Sequence, residues 1–456
     1  MNPFDEGDPH HAEYERQRAA QLGKTLDTFR RWLYLDDDAP VLVTAATVAA
    51  NNAEGDPLWL LIVGPPSSGK TEALQGVAGL KYVHGAATVT PASLLSGTSP
   101  KERAKNATGG LLRQIGSYGI LLCKDFTSVL SQNRDTAHEA LAALREIFDG
   151  NWDRPVGSAG GQVLSWAGKC GLIGGVTPSI DKYRDVVGAL GDRYILLRLP
   201  DVKPEEQATA ALSQGGNQKQ MRADLAEAMV GLIEDADLSK VARPLAPHEV
   251  KKLVALATFT ARARTAVERN GYTNEVQVLP QPEGPARIVG QFRRLMGGLE
   301  AIGADEETVW AILRRVAIDC VPAIRTRVMR TLMAAAGPMG TGDVAKTLGV
   351  DWKTAFRHLE DMRLLELAFM DVEETGNFDG KPRYFWESTQ WITEHFPLEE
   401  TNHRRGSGLR NEQDDHVNGH ALPGGSLVSS KGVSSAEPDL WAFGVEEPPE
   451  EALVIA

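Results

Sequence analysis

Residues 64–71 constrain the fold of this chain more than any other segment. They read Gly-Pro-Pro-Ser-Ser-Gly-Lys-Thr, two glycines separated by four residues and followed by lysine and threonine. An apolar run at 58–63 precedes them, and a helical pattern begins at Lys70. A strand that runs into such a loop, with a helix directly after it, aims backbone amides and the positive end of the helix dipole at a phosphate group. The segment therefore predicts a phosphate-binding loop of the Walker A type.

The residue types in this loop suit a nucleoside triphosphate, which we expect to be ATP bound with Mg²⁺. Glycine permits backbone angles and close contacts that a Cβ would block. Lys70 is predicted to reach the outer phosphates, and the hydroxyl of Thr71 to bind the metal ion. The predicted nucleotide-binding residues are Gly64, Pro65, Pro66, Ser67, Ser68, Gly69, Lys70 and Thr71.

A hydrolytic site also needs a carboxylate near the metal ion, and Asp125 follows the apolar run 120–123. The second acid that usually orients the attacking water is missing beside it. Two alternatives remain open: another acid, such as Glu139 or Glu146, polarises the water, or hydrolysis is slow. A third interpretation makes Asp125 a simple strand-end cap.

Two further residues are candidates for contacts with the triphosphate. The predicted strand 171–176 ends at Thr177, from which a hydroxyl can contact the γ-phosphate or the water. Arg193 directly precedes the predicted strand 194–199, at a module edge, and is a candidate to stabilise transition-state charge in a neighbouring subunit. The alternatives are an ordinary strand-end threonine and an ordinary surface arginine.

The amino-acid composition limits which partners and which cellular compartment we expect for this chain. The net charge of −13 opposes nucleic-acid binding, but residues 397–456 hold eleven Asp or Glu against four Lys or Arg. This acidic tail is predicted to be disordered, and its end has the composition of a short protein-docking peptide. Three widely spaced cysteines support neither a disulfide framework nor a zinc site. We expect a cytoplasmic protein without a signal peptide or membrane anchor.

The chain divides by pattern into five segments. Short apolar runs alternate with helical stretches around the phosphate loop, which predicts an α/β core with a mostly parallel sheet. Strand patterns then nearly vanish, which predicts a helical unit. The predicted segments are a helical lead-in (1–57), the phosphate-loop core (58–200), a helical lid (201–324), a C-terminal domain (325–396) and the tail (397–456).

The pattern of residues 325–396 resembles a winged helix-turn-helix. Three helical stretches precede two predicted strands, 364–370 and 384–386, with a polar turn at 377–380. A recognition helix at 351–362 would lie in the major groove of DNA. The alternative is a protein-docking module, because acidic residues dilute the basic face. The predicted DNA-contacting residues are Lys353, Thr354, Arg357, His358, Lys381 and Arg383.

The order of these elements resembles that of the AAA+ ATPases, and among them the minichromosome maintenance type of replicative helicase. The matching positions are the Walker A loop, Asp125, Thr177 with Pro178, and Arg193. The resemblance implies a hexameric ring, a lid helix with a second sensor arginine at Arg287, and a hairpin within 152–166 that precedes the sensor strand. It also implies a place in phage or mobile-element replication.

The leading hypothesis from sequence is a DNA-dependent AAA+ ATPase, a helicase or initiator-type motor that moves on, opens or remodels DNA. Two alternatives belong to other classes. One is an ATP-regulated transcriptional regulator, and the other is a partner-remodelling ATPase whose winged helix binds protein. ATP-driven strand displacement would support the motor, and site-specific duplex binding with hydrolysis indifferent to DNA would support the regulator. The absence of salt-sensitive DNA affinity would support the partner-remodelling ATPase.

Overall fold

The computed structural model describes residues 10–33, 37–96, 109–157, 161–183, 188, 192–200, 204–213, 216–270, 273–373 and 382–397. A five-stranded parallel sheet forms the centre of the first half, in the order β2-β3-β6-β1-β7. Its strands, with the hairpin β4-β5 that is inserted before β6, are β1 (Trp59–Val63), β2 (Val83–Gly85), β3 (Tyr118–Cys123), β4 (Asn151–Val156), β5 (Gln162–Ala167), β6 (Lys169–Val176) and β7 (Tyr194–Arg198). The predicted α/β class and parallel sheet are confirmed.

The sheet is parallel because its central strands are apolar on both faces and are joined by helical crossovers, while the edge strand β2 is only partly buried. Every residue of β1 is buried, and so is every residue of β6 after Lys169. Val63, the last residue of β1, pairs with Val176 of β6 and with Arg198 of β7. The carboxyl ends of these three strands therefore meet at one edge of the sheet, where ligands of open α/β sheets bind.

Helices cover the sheet and form the segment that follows it. Those of the first half are α1 (His11–Trp32), α2 (Ala39–Asn52), α3 (Lys70–Gln75), α4 (Pro91–Leu94), α5 (Leu111–Ile115), α6 (Thr127–Leu130) and α7 (Arg134–Phe148), with a 3-10 helix at Pro178–Tyr183. The helical segment contains α8 (Pro204–Ser213), α9 (Gln218–Glu234), α10 (Pro247–Arg264), α11 (Ala286–Ala301) and α12 (Glu306–Asp319), with a 3-10 helix at Leu238–Ala242.

Helix α2 is buried along nearly its whole length, between the sheet and α11. Its carboxyl end is capped by Arg294 of α11, whose guanidinium donates to the carbonyl oxygens of Ala50, Ala53 and Glu54. A cation at this position compensates the negative end of the helix dipole. The Arg294 side chain is therefore directed at the end of α2 and is only partly exposed.

The C-terminal unit combines three helices with a small sheet. Its elements are α13 (Ala323–Ala334), β8 (Met339–Gly340), α14 (Thr341–Leu348), α15 (Trp352–Leu364), β9 (Ala368–Glu373), β10 (Arg383–Ser388) and α16 (Gln390–His395). The three strands are antiparallel in the order β8-β10-β9. Trp386, fully buried, anchors them by donating from Nε1 to Thr341 Oγ1 at 2.8 Å.

Strand β9, which corresponds to the predicted strand 364–370, begins later than the sequence pattern predicts. Leu364 ends α15 instead of opening a strand. Glu366 then adopts a left-handed φ of 58°, and the amides of Glu366 and Leu367 bond back to Arg363 and Met362. This Schellman-type closure satisfies the last carbonyls of the helix, so the apolar run is divided between helix end and strand.

Among the described residues, no helix combines the length and the hydropathy that a membrane span requires. The predicted polar turn at 377–380, Lys381 and nearly all of the acidic tail lie outside the described residues.

Candidate active site

The phosphate loop lies at the carboxyl edge of the sheet, between β1 and α3. The backbone N–H of Gly64 donates to the carbonyl of Val176 at 3.0 Å, which holds the loop against β6. Gly69 caps α3 with a φ of 82°, in the left-handed region that favours glycine. Ser67 also adopts a left-handed φ, of 63°. The predicted strand, loop and helix are thus present, and residues 65–71 lie at the surface or only partly buried.

The ammonium group of Lys70 is held over this loop. Its Nζ donates to the carbonyl oxygens of Gly64 at 2.6 Å and Pro65 at 2.5 Å, and lies 3.3 Å from Ser68 Oγ. Burial lowers the pKa of this ammonium, and the carboxylate of Asp125 acts on it in the opposite direction. Lys70 and Asp125 therefore belong to one electrostatic site, although they come from different strand ends.

Asp125 follows β3 and is exposed at the same edge. The N–H of the next residue, Phe126, donates to the carbonyl of Gly175 in β6 at 2.7 Å. A Cβ on Gly175 would lie 2.8 Å from the carbonyl oxygen of Lys124. Glycine at 175 is therefore required for the end of β3 to pack this closely against β6, and it places Asp125 near the phosphate loop.

Thr177 follows β6, the strand that lies between β1 and β3. Its N–H donates to Thr127 Oγ1 at 2.9 Å, and its own Oγ1 lies 2.6 Å from Ser179 Oγ. The hydroxyl groups of Thr127, Thr177 and Ser179 form a chain beside the ends of β3 and β1. The sheet order brings Lys70, Asp125 and Thr177 to one edge, as their strand-end positions predict.

The donor chemistry of these residues fits a magnesium nucleotide. Mg²⁺ prefers hard oxygen donors and is commonly held by one or two protein oxygens together with phosphates. The hydroxyl of Thr71, at the start of α3, and the carboxylate of Asp125 are such donors, and both residues are exposed. The roles of individual residues toward ATP and Mg²⁺ remain predictions.

The helical segment contacts the phosphate loop directly. Gln207 of α8 donates from Nε2 to the carbonyl oxygen of Ser67 at 2.7 Å. Arg222 of α9 pairs with Glu72 of α3 at 3.1 Å. Sequence reasoning missed both contacts, because polar side chains on solvent-facing helices carry no motif. They place helices α8 and α9 beside the loop, where a lid would lie.

Arg193 is found at the opposite, amino-terminal edge of the sheet and is buried, with 7% of its surface exposed. Its guanidinium pairs with Asp149 at 2.9 Å and lies over the ring of Phe148 at 5.4 Å. The expectation of an exposed arginine at a module edge is therefore corrected. In this arrangement the Arg193 side chain binds Asp149 at the carboxyl end of α7 in the same chain and does not project into solvent.

Arg287 occupies the second position of α11 and is exposed. It lines a cavity of about 300 Å³ together with Phe148 and Gln291. Gln291 donates to the carbonyl oxygen of Arg193, so Arg287 lies at the amino-terminal edge as well. Neither arginine is near the phosphate loop of the same chain.

The two acids considered for water activation differ in position. Glu146 lies in the last turn of α7, pairs with Arg145 at 3.4 Å and is close to the amino-terminal edge that holds Asp149. Glu139 lies nearer the start of the same helix and is exposed. Of the two, Glu139 remains the candidate on this helix.

The predicted DNA-contacting residues of the C-terminal unit separate into two groups. Thr354 is partly buried, and its N–H donates to the capping Asp351 at 3.0 Å. The His358 side chain is only 16% exposed, with Nδ1 3.8 Å from Asp361, and burial lowers its pKa to about 4. The expectation that His358 faces outward is therefore wrong. The exposed members are Lys353, Arg357 and Arg383.

A second connection that sequence reasoning missed joins Thr177 to the C-terminal unit. Asp181 lies in the 3-10 helix that follows Thr177, and its Oδ1 accepts from Arg198 Nη2 at 2.7 Å. Its Oδ2 accepts from the backbone N–H of Ala323, the first residue of α13, at 3.1 Å. Arg198 also donates from Nε to the carbonyl of Asp319 at 2.9 Å. The sheet edge and α13 are therefore directly bonded.

Comparison with known proteins provides no family assignment. No protein-family model matches the chain, and no curated protein matches it. Among solved structures, the Aeropyrum pernix Orc1 protein in complex with DNA aligns at 14% identity over 80% of this chain and 95% of its own, with a TM-score of 0.24. The apo A form of the NrS-1 C-terminal region aligns at 12% identity over 83% and 76%, with a TM-score of 0.23. Likeness of this extent establishes neither a family nor a function.

Proposed function

We propose that this protein is an AAA+ type ATPase that hydrolyses ATP to act on DNA, as a helicase or initiator-type remodelling motor in replication. One observation carries the proposal: a phosphate loop at the mouth of α3 shares the carboxyl edge of a parallel sheet with Asp125 and Thr177. Open α/β sheets bind their ligands at this edge. A phage or mobile element is the proposed setting.

In this proposal the loop amides and Lys70 bind the triphosphate, and Lys70 exchanges its bonds to the loop carbonyls for bonds to phosphate oxygens. Thr71 and Asp125 hold Mg²⁺, which supplies positive charge at the phosphates. Thr177 orients the attacking water or the γ-phosphate. Gln207, bonded to Ser67, lets the helical segment respond to the nucleotide.

Action on DNA is inferred from the C-terminal unit, which we infer to be a winged helix-turn-helix. Lys353 and Arg357 are exposed on α15, the third helix of the unit, and Arg383 is exposed on β10. Cations on such a helix and strand can contact DNA phosphates and base edges. Homo-oligomerisation into a hexameric ring is part of the proposal, with Arg287, which is exposed on α11, as the proposed second sensor arginine.

The exposed apolar residues of the same unit favour a second candidate, in which the winged helix binds protein. Trp352 is 48% exposed and Phe369 is 63% exposed. Large exposed aromatic side chains are enriched at protein interfaces. A transcriptional regulator whose oligomeric state depends on ATP is the third possibility.

The decisive experiment measures phosphate release from ATP with no DNA, with single-stranded DNA and with a forked duplex, together with the mass of the ATP-bound assembly. We expect hydrolysis stimulated by DNA, displacement of the fork strand, and a hexamer. Site-specific duplex binding with hydrolysis indifferent to DNA would support the regulator instead. The absence of salt-sensitive DNA affinity would support the protein-binding alternative.

A further inference from the structure

A cleft of about 520 Å³ separates the carboxyl end of β7 from the first helix of the C-terminal unit. One wall contains Arg198, Leu199 and Pro200, and the opposite wall contains Arg327 and Arg330 of α13. The backbone N–H of Leu199 donates to the carbonyl of Val63 at 2.8 Å, one residue before the phosphate loop. The cleft therefore runs from beside the candidate active site to the surface of the C-terminal unit.

Guanidinium groups dominate the polar lining of this cleft. Arg198, Arg315, Arg327 and Arg330 contribute four, against the carboxylates of Asp37 and Asp319. Both carboxylates are already bound by Arg315, at 2.9 Å and 3.5 Å respectively. Arg327 and Arg330, one turn apart on α13, are exposed. Nη2 of Arg327 donates to the carbonyl oxygen of Leu348 at 2.7 Å and Arg330 lies over the ring of Phe396 at 6.0 Å, and neither contact removes the positive charge that the two groups add to the outer side of the cleft.

The inner guanidinium groups are fixed in place by the fold. Arg198 is bound by Asp181 and by the carbonyl oxygens of Asp319 and Val321, and its side chain is only 15% exposed. Arg315 donates to the carbonyl of Arg198 at 2.7 Å. Side chains held in this way lose little conformational entropy when a ligand binds, which favours binding.

We propose that this cleft binds the phosphodiester backbone of DNA and leads it from the C-terminal unit toward the ATPase site. Guanidinium groups suit the planar, multidentate recognition of phosphate oxygens, and two arginines one helical turn apart can contact neighbouring phosphates. This inference rests on the proposed action on DNA. It adds a contact surface on α13 that is separate from α15.

The test replaces the two exposed arginines and measures the salt dependence of DNA affinity. The variant Arg327→Gln with Arg330→Gln is titrated with a fluorescent duplex and a fluorescent single strand over a range of salt concentrations. Loss of two phosphate contacts should reduce the slope of log K against log salt by about 1.8 for duplex, or about 1.4 for single strands. ATP affinity should stay at its wild-type value, and the melting temperature should fall only slightly, because the variant loses the bond from Arg327 to the Leu348 carbonyl and the contact of Arg330 with Phe396.

Two further variants control for folding and for net charge. Arg327→Lys with Arg330→Lys keeps the charge and should restore most of the slope. Arg113→Gln with Lys251→Gln removes two exposed cations, on α5 and α10, that do not line the cleft, and should leave the slope at its wild-type value.

The outcomes separate the two proposals. A wild-type protein without DNA affinity at any salt concentration overturns the proposed action on DNA, and the cleft with it. A wild-type protein that binds DNA, combined with an unchanged slope in the double glutamine variant, overturns the cleft alone. An equal loss of slope in the Arg113 and Lys251 control also overturns the cleft, because the effect would then reflect total charge. Direct binding of tripolyphosphate by a wild type without DNA affinity, lost in the double glutamine variant, would identify a nucleotide or polyphosphate as the ligand and reject the backbone.

Discussion

The carboxyl edge of the sheet and the C-terminal unit both contain predicted functional residues, but the two regions fold around them differently. At the sheet edge, Lys70, Asp125 and Thr177 each follow or begin an element at a strand end, and a parallel topology gathers such positions. On α15, helical periodicity alone suggests an outer face. A neighbouring segment covers part of it, because Arg269 binds Glu360 at 2.8 Å and also bonds to Asp361. Positions at the carboxyl ends of strands thus predict which residues gather at one edge, whereas the exposure expected for Arg193, which precedes a strand, and for His358, which is placed by helical phase, is wrong.

The largest expected effect tests the sheet edge. Lys70→Ala should reduce ATP hydrolysis by at least about 100-fold, because the ammonium that stabilises phosphate charge is lost. Phosphate release measures this. Lys124→Ala is the matched control, since Lys124 is an exposed lysine at the same edge, next to Asp125. Wild-type turnover in Lys70→Ala would reject the phosphate loop as the active site.

A second prediction tests how the sheet edge is packed. Gly175→Ala places a Cβ 2.8 Å from the Lys124 carbonyl, so the end of β3 must shift. We expect a loss of about 1–3 kcal/mol in the free energy of unfolding, measured by denaturant titration, together with reduced hydrolysis as Asp125 moves. Gly79→Ala is the control, because a Cβ there meets no atom within 4 Å. Equal stability of both variants would show that the close approach is not required.

The third prediction tests the C-terminal unit. Lys353→Gln with Arg357→Gln should weaken DNA binding about tenfold and leave ATP hydrolysis without DNA unchanged, because these cations lie on α15 and not at the sheet edge. Fluorescence anisotropy measures the affinity. Lys24→Gln with Lys251→Gln removes the same charge from α1 and α10. If the control weakens binding as much, α15 is not a specific contact surface.

The smallest expected effect concerns His358, which is covered rather than presented to DNA. Its folded-state pKa is lowered to about 4 by burial and by the cations of Arg357, Arg325 and Arg269, while Asp361 acts in the opposite direction. As pH falls from about 6.5 toward 4, the unfolded chain binds a proton before the folded chain does, so stability is lost over this window.

We therefore expect the wild type to lose about 1 kcal/mol more than His358→Gln between neutral pH and pH 4, as measured by urea unfolding. Parallel curves for the two proteins would contradict the burial of the imidazole. DNA affinity at neutral pH should be the same in both, in contrast with the Lys353 and Arg357 variant.

The sequence predicts those features that depend on short segments. The parallel sheet and the phosphate loop follow from apolar runs and glycine positions within a few residues of each other, whereas the hairpin β4-β5 is expected from the resemblance. The burial of Arg193 does not, because its partner Asp149 lies 44 residues away and Gln291 lies 98 residues away. Arg294 likewise caps a helix end 244 residues distant. Such pairings are decided by packing, and local pattern does not contain them.

The carboxylate of Asp181 connects the sheet edge to the C-terminal unit. Asp181 holds Arg198 with one oxygen and the first amide of α13 with the other, four residues after Thr177. A shift of the segment that follows β6 must either carry α13 with it or break the bond from Ala323 to Asp181, and hydrogen bonds to charged groups contribute about 1.5–3 kcal/mol each. Asp181 therefore couples the C-terminal unit directly to the carboxyl edge of the sheet, in addition to the contacts that Arg269 makes with α15.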